Sequence, residues 1–326
     1  MVVSKQDIYQ ITVPTPFPVG DVHMYLLTGD VLTLIDTGVK TKEAWEALND
    51  QLKSIGYSVH DIEQVVLTHH HPDHIGLIDQ LPKVQQIAAH AYIDPWLTRD
   101  QVFFEQYELF YEHFFKRCGV PDDVRDSLNG YRGMIHYIGT GEVTYELTDG
   151  DFLPGHAEWQ VIDTKGHAQS HLSFFNKKHG TFIGGDHLLY HISPNPLLEP
   201  IDQVERAKPL LQYQANLRKC LSLGIKNVLP GHGPIFSNIS SHITKQLNEQ
   251  EERATVVYKM IQQKPRTPFE ICQKLFPTQY RTQLVFTMSE TVGQLDYLEA
   301  DDKVKVSEEN GVLVYHIKKG LGQSKF

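Results

Sequence analysis

The chain has 326 residues, of which 40% are hydrophobic and 21% are charged, and its formal net charge is −10. This composition is typical of a globular protein without a long disordered tract, and the length suits one large and one smaller folded unit. The negative charge argues against non-specific binding to nucleic acid or to an anionic membrane, because both repel an acidic surface. No apolar run is long enough to span a bilayer, so we expect no membrane partner.

The cysteines and the first residues bear on the cellular compartment. The three cysteines, Cys118, Cys220 and Cys272, lie far apart in the sequence, and no pair has the spacing of a thiolate zinc site. Separated thiols in odd number fit a reducing compartment, with all three buried or half-buried. The amino-terminal residues lack the apolar core and cleavage site of a signal peptide. We therefore predict a cytoplasmic protein.

The first part of the chain alternates strand-like runs with helical patterns. Apolar residues at helical spacing predict a helix over Lys42–Ile55. The predicted strands, in chain order, are Ile8–Val13, Met24–Thr28, Val31–Ile35, Ile62–Leu67, Val84–Ala89, Gln160–Asp163, Leu172–Phe175, Thr181–Gly184 and Asn227–Leu229. Strands that precede helices in both halves indicate an α/β fold in which two sheets pack face to face with helices outside.

An aromatic-rich segment interrupts this pattern at about residues 92–134. Several of its aromatic residues share one face of a helix: Phe103, Tyr107, Phe110, Tyr111 and Phe114. We favour a helical insertion whose aromatic face packs on the core. The alternative is that part of this face lines a substrate pocket.

The chain from residue 242 onward has the pattern of a small separate domain. The predicted elements are helices at Ile243–Gln263, Thr267–Leu275 and Gln283–Glu299, then a hairpin of Val304–Val306 and Val312–His316. Three helices and a hairpin are the element order of a winged helix, so we predict a catalytic domain at 1–241 and a winged-helix-like domain at 242–326. Lys245–Phe326 holds 12 basic and 11 acidic side chains, whereas nucleic-acid binding needs clustered positive charge. We therefore do not expect a nucleic-acid partner.

One short stretch after a predicted strand carries four candidate metal ligands. It reads Thr68-His69-His70-His71-Pro72-Asp73-His74. On an extended loop His69 and His71 point the same way, because side chains repeat every two residues. Where the chain turns toward a helix, Asp73 and His74 swing to the neighbouring side, which predicts a second metal position. Imidazole and carboxylate ligands suit zinc, and also iron or manganese.

Three further candidate ligands lie at the ends of later predicted strands. They are His167, Asp186 and His232, and each directly follows a glycine. Glycine lets the backbone approach an ion closely. A surface histidine cluster would not recur at separate strand ends, so the pattern predicts one composite metal site.

This combination resembles the metallo-β-lactamase superfamily. The run His-x-His-x-Asp-His, followed by single His, Asp and His residues, is its ligand pattern, and Leu34-Ile35-Asp36-Thr37-Gly38 matches its first motif. The resemblance covers roughly residues 8–234 and implies an αββα sandwich with two divalent ions at one edge of the sheets. It implies one ion on His69, His71 and His167, another on Asp73, His74 and His232, and Asp186 as the bridge between them. Asp36 would orient ligands rather than bind an ion.

The resemblance also implies a mechanism. A hydroxide held between two dications would attack the substrate, with Asp73 and Asp186 as catalytic carboxylates and Asp73 carrying a proton to the leaving group. We place His171 with the catalytic residues, either orienting a ligand or contacting substrate. His187 and Tyr190, which follow Asp186, are candidates for contact with a small-molecule substrate.

Three hydrolytic functions remain open. We favour cleavage of a thioester or ester of a small acyl substrate, because glyoxalase II carries a similar Thr-His-His-His-x-Asp-His run, although the carboxyl-terminal part does not resemble its glutathione-binding domain. The alternatives are a single-strand endoribonuclease or phosphodiesterase, and an acyl-homoserine lactonase, for which Tyr190 is one position from the expected spacing. A homodimer is compatible with the carboxyl-terminal domain.

Overall fold

The computed structural model describes residues 8–125, 133–201 and 205–318. The strands are β1 (Ile8–Val13), β2 (Val22–Leu27), β3 (Thr33–Ile35), β4 (Gln64–Val66), β5 (Gln86–Ala89), β6 (Tyr145–Glu146), β7 (Phe152–Leu153), β8 (His156–Asp163), β9 (Leu172–Asn176), β10 (Thr181–Gly185), β11 (Asn227–Pro230), β12 (Val304–Glu309) and β13 (Val312–Ile317). The helices are α1 (Lys42–Ser54), α2 (Asp94–Thr98), α3 (Gln101–Arg117), α4 (Asp122–Arg125), α5 (Pro209–Ser222), α6 (Ile239–Gln263), α7 (Pro268–Leu275) and α8 (Leu284–Ala300).

Strand direction determines where the loops of the two large sheets meet. The first sheet has the order β1-β2-β3-β4-β5-β6, and the second has the order β11-β10-β9-β8-β7. Strands β3, β4, β5 and β6 are parallel, and so are β10 and β11. Strand β9 is antiparallel to both β8 and β10, so these two also run in the same direction. Consequently, β8, β10 and β11 end at one edge of the second sheet, and β3, β4 and β5 end at one edge of the first.

The two sheets pack face to face over a shared apolar core. Its buried residues come from both sheets and include Tyr25, Ile35, Val66, Trp159, Val161, Phe174, Ile183 and Leu229. The outer face of the first sheet packs against α1 and α3, and that of the second sheet packs against α5 and the start of α6. These four layers confirm the predicted αββα sandwich.

Helix α1 shows how local sequence determines one outer layer. The Thr41 hydroxyl caps its first turn by accepting a hydrogen bond from the Ala44 N–H at 3.2 Å. Ala44, Leu48 and Leu52 repeat at helical spacing and are buried against the first sheet. The helix begins at the predicted Lys42 and ends at Ser54, one residue before the predicted Ile55.

The aromatic insertion packs on the core. Helix α3 buries six aromatic side chains against the first sheet and its neighbours: Phe104, Tyr107, Phe110, Tyr111, Phe114 and Phe115. This confirms the favoured interpretation of the segment as a packed helical insertion. Residues 126–132 of the predicted range lie outside the described residues.

The carboxyl-terminal segment has the predicted order of three helices and a hairpin. Helix α6 begins at Ile239, just before the predicted boundary. Leu284, Met288 and Val292 on α8 join the same core as α1 and α3. Both guanidinium nitrogens Nη1 and Nη2 of Arg206 donate to the buried Asp296 carboxylate on α8, each at 2.6 Å. The division into two domains and the winged-helix comparison stay predictions.

Helix α6 is long enough to reach across a bilayer, with 25 residues. Its sequence is nevertheless polar, with Glu249, Glu251, Glu252 and Arg253 in its middle. Within residues 8–125, 133–201 and 205–318, no helix combines the length and the apolar character that a membrane span requires.

All three cysteines are buried and unpaired. Burial raises the pKa of the Cys118 thiol to about 12 and that of Cys220 to about 12, and it also raises that of Cys272. We expect an aromatic disulfide reagent at pH 8 to modify fewer than about 0.1 thiols per native chain, because the thiolate is the reactive form. Denaturation in guanidinium should then make all three thiols reactive. Stoichiometric labelling of the native protein would contradict their burial.

Candidate metal centre

The loops that follow the strands of both sheets bring the seven predicted ligands together. Their ligand atoms form three overlapping groups, and within each group the atoms lie within 4.8 Å of one another. The groups are His69, His71 and His167; His69, His74 and Asp186; and Asp73, His74 and His232. The seven predicted ligands therefore lie in one cluster that could hold a metal.

In the first group, three ring nitrogens converge. His71 Nδ1 lies 3.0 Å from His69 Nε2 and 2.9 Å from His167 Nε2. Burial lowers the pKa of all three imidazoles, for His69 and His71 well below the usual value. Neutral imidazoles whose nitrogens face one point are the form that binds a divalent cation.

Asp186 lies between the group of His69, His71 and His167 and the group of Asp73, His74 and His232. Its Oδ2 is 3.6 Å from His167 Nε2 and 3.5 Å from His232 Nε2, while its Oδ1 is 3.5 Å from His74 Nε2. Asp73 faces the same side as His232, with 3.3 Å between Oδ2 and Nε2. One carboxylate thus faces ligands of both groups, which is the arrangement that a bridging ligand requires.

Unsatisfied polar atoms show that these residues fit a metal. Among the described residues, His74 Nε2, His232 Nε2 and Asp186 Oδ1 are buried polar atoms without a hydrogen-bond partner. A buried polar atom left unsatisfied costs about 1–3 kcal/mol. A divalent cation among them would satisfy all three, and mixed imidazole and carboxylate donors suit zinc, iron or manganese.

The other ring nitrogen of most ligand histidines is held by an oxygen atom. The pairs are His69 Nδ1 with Thr68 Oγ1 at 3.0 Å, His74 Nδ1 with Asp36 Oδ2 at 2.8 Å, His167 Nδ1 with Asn195 O at 3.0 Å, and His232 Nδ1 with Asp21 O at 2.7 Å. Such contacts select the tautomer and leave the opposite nitrogen free for metal.

Asp36 organises this outer layer. It is buried at a positive φ of 61°, directly after β3. Its Oδ1 accepts the Thr68 N–H, and its Oδ2 accepts both the Thr68 hydroxyl and His74 Nδ1–H, each at 2.8 Å. These contacts support the predicted role of Asp36 as a residue that orients ligands.

Charge within the cluster keeps the Asp186 carboxylate ionised. Burial alone would raise the pKa of Asp186, but His232 and His74 outweigh it and hold that pKa well below the usual value. Burial also opposes charge on His74, yet Asp186 and Asp36 raise the His74 pKa well above normal. A metal ion must therefore compete with a proton on His74, so binding releases protons and weakens as pH falls.

Glycine is required at two positions beside the Asp186 carboxylate. A Cβ atom at Gly231 would collide with Asp186 Oδ1, and one at Gly185 would lie 2.9 Å from His171 Nε2. Gly185 also has a positive φ of 47°, which disfavours larger residues. These contacts explain why glycine precedes Asp186 and His232.

The His171 imidazole contacts the backbone of Asp186. Its Nε2 accepts the Asp186 N–H at 3.0 Å, and its Nδ1 lies 2.8 Å from Thr164 Oγ1. The imidazole is fully buried, and the protein occupies both of its nitrogens. Of the two predicted roles, orienting a ligand is the one that this placement supports.

The two predicted substrate contacts differ in exposure. His187 is fully buried 5.2 Å from the Tyr213 ring, and burial lowers its pKa to about 3, so its position argues against substrate contact. Tyr190 is 48% exposed and stacks on His242 at 5.8 Å. Tyr190 therefore stays a candidate.

Three residues that border the site had no predicted role. His70 and Glu199 form a buried pair, with 2.9 Å between Nε2 and Oε1, and Asn195 contacts His167. A signal was available for Glu199, the lone charged residue in the otherwise uncharged run 192–201. Charged side chains are rarely buried unless they have a partner.

Residues 17–232, which include every predicted ligand, match the family model described as the metallo-beta-lactamase superfamily. The chain belongs to this superfamily. The probable metallo-hydrolase YqjP of Bacillus subtilis (strain 168) is 40% identical over 302 residues, 92% of this chain and 95% of that protein. The superfamily membership and this relative identify the chain as a metal-dependent hydrolase.

Two further proteins are similar to this chain at lower identity. A metallo-beta-lactamase family protein of Thermus thermophilus superposes with a TM-score of 0.80 at 25% identity, covering 96% of this chain and 99% of that one. An atrochrysone carboxyl ACP thioesterase of Aspergillus fumigatus is 24% identical over 74% of this chain and 59% of its own length. The first similarity extends over the carboxyl-terminal segment as well as the sandwich.

Proposed function

We propose that this metallo-hydrolase is dinuclear and cleaves a thioester or ester of a small acyl substrate. The observation that carries the proposal is Asp186, whose two oxygens face both ligand groups. Its placement favours two ions over one, since a mononuclear site would leave one group of donors unmatched. Zinc is our first choice for both ions, with iron or manganese as alternatives.

Two bound divalent ions would supply an activated water at neutral pH and would stabilise the negative charge that develops on the substrate. The chain's own part is to hold the donors and to move a proton. Burial would raise the pKa of Asp73, but the imidazoles of His232, 3.3 Å away, and His74 outweigh burial and lower it. Asp73 is therefore ionised at neutral pH, and we assign it the transfer of a proton toward the leaving group.

Exposed apolar side chains border the segment that contacts His167. Asn195 accepts from His167 through its carbonyl, and its side chain donates to the Phe286 carbonyl at 2.9 Å. Phe286 is 45% exposed and Ile192 is 46% exposed. These side chains offer an apolar surface for an acyl group beside the metal centre. The aromatic face of α3 contributes nothing to this surface, because it is buried in the core.

The thioesterase among the relatives supports the same substrate class. That protein acts, by its name, on a carboxyl ACP thioester. It is 24% identical over 74% of this chain, and the acyl group of such a substrate suits the exposed apolar side chains of Ile192 and Phe286. The fold alone would not select it, because one fold supports many hydrolytic reactions.

A substrate panel tests the proposal. The purified chain, with its metal content measured, should be assayed with an acyl thioester, an acyl-homoserine lactone, a phosphodiester and a β-lactam. We expect turnover of the thioester and its loss in His69→Ala, with His60→Ala, an exposed histidine on a surface turn, as the matched control. Exclusive phosphodiester turnover would overturn the acyl assignment, and a chain that binds no metal would overturn the whole proposal.

A further inference from the structure

We propose that the buried Glu199 carboxylate is a positioning residue that holds two ligand-bearing loops in the geometry needed for metal binding. The loops are residues 69–74 and residues 167–171. This inference rests on the proposed metal site. Glu199 itself belongs to none of the three ligand groups.

The contacts of Glu199 join the two loops directly. Its side chain is fully buried. Oε1 lies 2.9 Å from His70 Nε2, and Oε2 accepts the Gln169 N–H at 2.6 Å. His70 stands between His69 and His71, and Gln169 lies two residues after His167. One carboxylate therefore ties both loops of the first ligand group together.

His70 is fixed on its other sides as well. Its ring stacks on Trp96, with ring centroids 4.4 Å apart. Its Nδ1 lies 2.8 Å from Ser170 Oγ, which also accepts the His70 N–H at 3.2 Å. When Nε2–H donates to Glu199 and the Ser170 hydroxyl donates to Nδ1, every polar atom of His70's ring is satisfied. Movement of this ring would displace the ligands on either side of it.

The segment that carries Glu199 is held by three tyrosines of the insertion. The Tyr107 hydroxyl donates to Glu199 Oε1 at 3.2 Å, the Tyr92 hydroxyl donates to the Pro200 carbonyl at 3.3 Å, and the Tyr111 hydroxyl donates to the Leu198 carbonyl. The insertion thus supports the segment that contacts the metal centre.

The same segment also contacts the ligand His167. The Leu197 N–H donates to the His167 carbonyl at 3.3 Å, and Asn195 accepts from its imidazole at 3.0 Å. On the opposite side, the Leu198 N–H donates to Ser289 Oγ on α8 at 3.0 Å. Residues 195–200 therefore form a fixed strip between helices α3 and α8 on one side and the first ligand group on the other.

A fully buried carboxylate is costly unless its partners are placed to receive it. Here three donors converge on it: His70 Nε2–H, the Tyr107 hydroxyl and the Gln169 N–H. Truncation at Glu199 would leave these donors unsatisfied, so the loops would move to find other partners. The ligand geometry would change although no ligand was removed.

Metal binding provides the test. Glu199→Ala, Glu199→Gln and Tyr107→Phe should be compared with the parent by zinc competition against a chelator, by zinc content and by the visible spectrum of the cobalt(II)-loaded protein. We expect Glu199→Ala to weaken zinc binding about 10–100-fold and to change the cobalt spectrum, as loss of outer contacts does. Glu199→Gln should weaken zinc binding less than Glu199→Ala, because the amide keeps one acceptor oxygen. Tyr107→Phe should weaken it least, because it removes a single donor.

A stability control separates positioning from general destabilisation. Leu298→Ala removes a buried side chain from the separate core around α6 and α8, so it should lower the Tm but leave zinc affinity unchanged. Parent-like zinc affinity and cobalt spectrum in Glu199→Ala would overturn the inference. If that variant does not fold, parent-like behaviour of Glu199→Gln overturns it. A parent chain that binds no zinc, iron or manganese would instead refute the proposed function.

Discussion

Asp186→Ala should lower the rate of the proposed thioester hydrolysis by more than about 10³-fold. This is a larger loss than the removal of one hydrogen-bond donor to the transition state usually causes. The side chain faces His74, His167 and His232 at 3.5–3.6 Å, so its removal takes a ligand from both groups at once. The remaining histidines would keep weak affinity for a single ion. We therefore expect metal content to fall by at least one equivalent per chain, together with activity.

Metal analysis and kinetics on the same preparation check this expectation. Asp163→Ala is the matched control. Asp163 is the last residue of β8, much as Asp186 directly follows β10, but the Asp163 carboxylate pairs with Lys165 at 3.1 Å and is partly exposed. That variant should keep its metal and its activity. Full metal content with full activity in Asp186→Ala would show that the carboxylate does not bridge.

Asp36→Ala should reduce both stability and metal affinity. The change removes the acceptor of three hydrogen bonds, two from Thr68 and one from His74. It also places alanine at a φ of 61°, where L-residues are strained. We expect a loss of about 3–5 kcal/mol in the free energy of unfolding. Zinc affinity should fall about 10–100-fold, because His74 loses the partner that orients it.

Chemical denaturation and chelator competition measure the two effects. Asp302→Ala is the control for the backbone, because Asp302 is exposed and has a similar φ of 58°. It should cost only about 1–2 kcal/mol and leave zinc affinity intact. Asp36→Asn keeps an acceptor oxygen, and asparagine tolerates a positive φ. Its stability and zinc affinity should therefore lie between those of the parent and of Asp36→Ala. Unchanged zinc affinity in Asp36→Ala would refute the orienting role.

The metal cluster could be predicted because its information is local. Each ligand lies at or shortly beyond the carboxyl end of a strand that its own apolar residues define, as with His232 after β11. Parallel strands then bring these ends to one edge without any knowledge of the loops. Glycine before Asp186 and His232 marked the same positions, because a side chain at residue 185 would meet His171 and one at residue 231 would meet Asp186. Pattern and topology were sufficient.

The support behind the cluster was not predictable in the same way. Glu199 and His70 are separated by more than a hundred residues, and only the folded chain shows that they pair. The aromatic periodicity of α3 predicted a buried face but not that Tyr107 and Tyr111 would use their hydroxyls on residues 198 and 199. Such contacts depend on how helices pack, which periodicity does not specify. Strands β6 and β7 were missed because two residues give no alternating pattern.

The contacts of helix α8 limit which chimeras between this chain and its relatives can keep the metal centre. Its Ser289 hydroxyl receives the Leu198 N–H, and its Asp296 pairs with Arg206, so it braces the strip that contacts His167. A chimera joined after β11 would bring a foreign helix against this strip. Recombination between relatives would therefore preserve a working centre only where the last helices and the strip are inherited together.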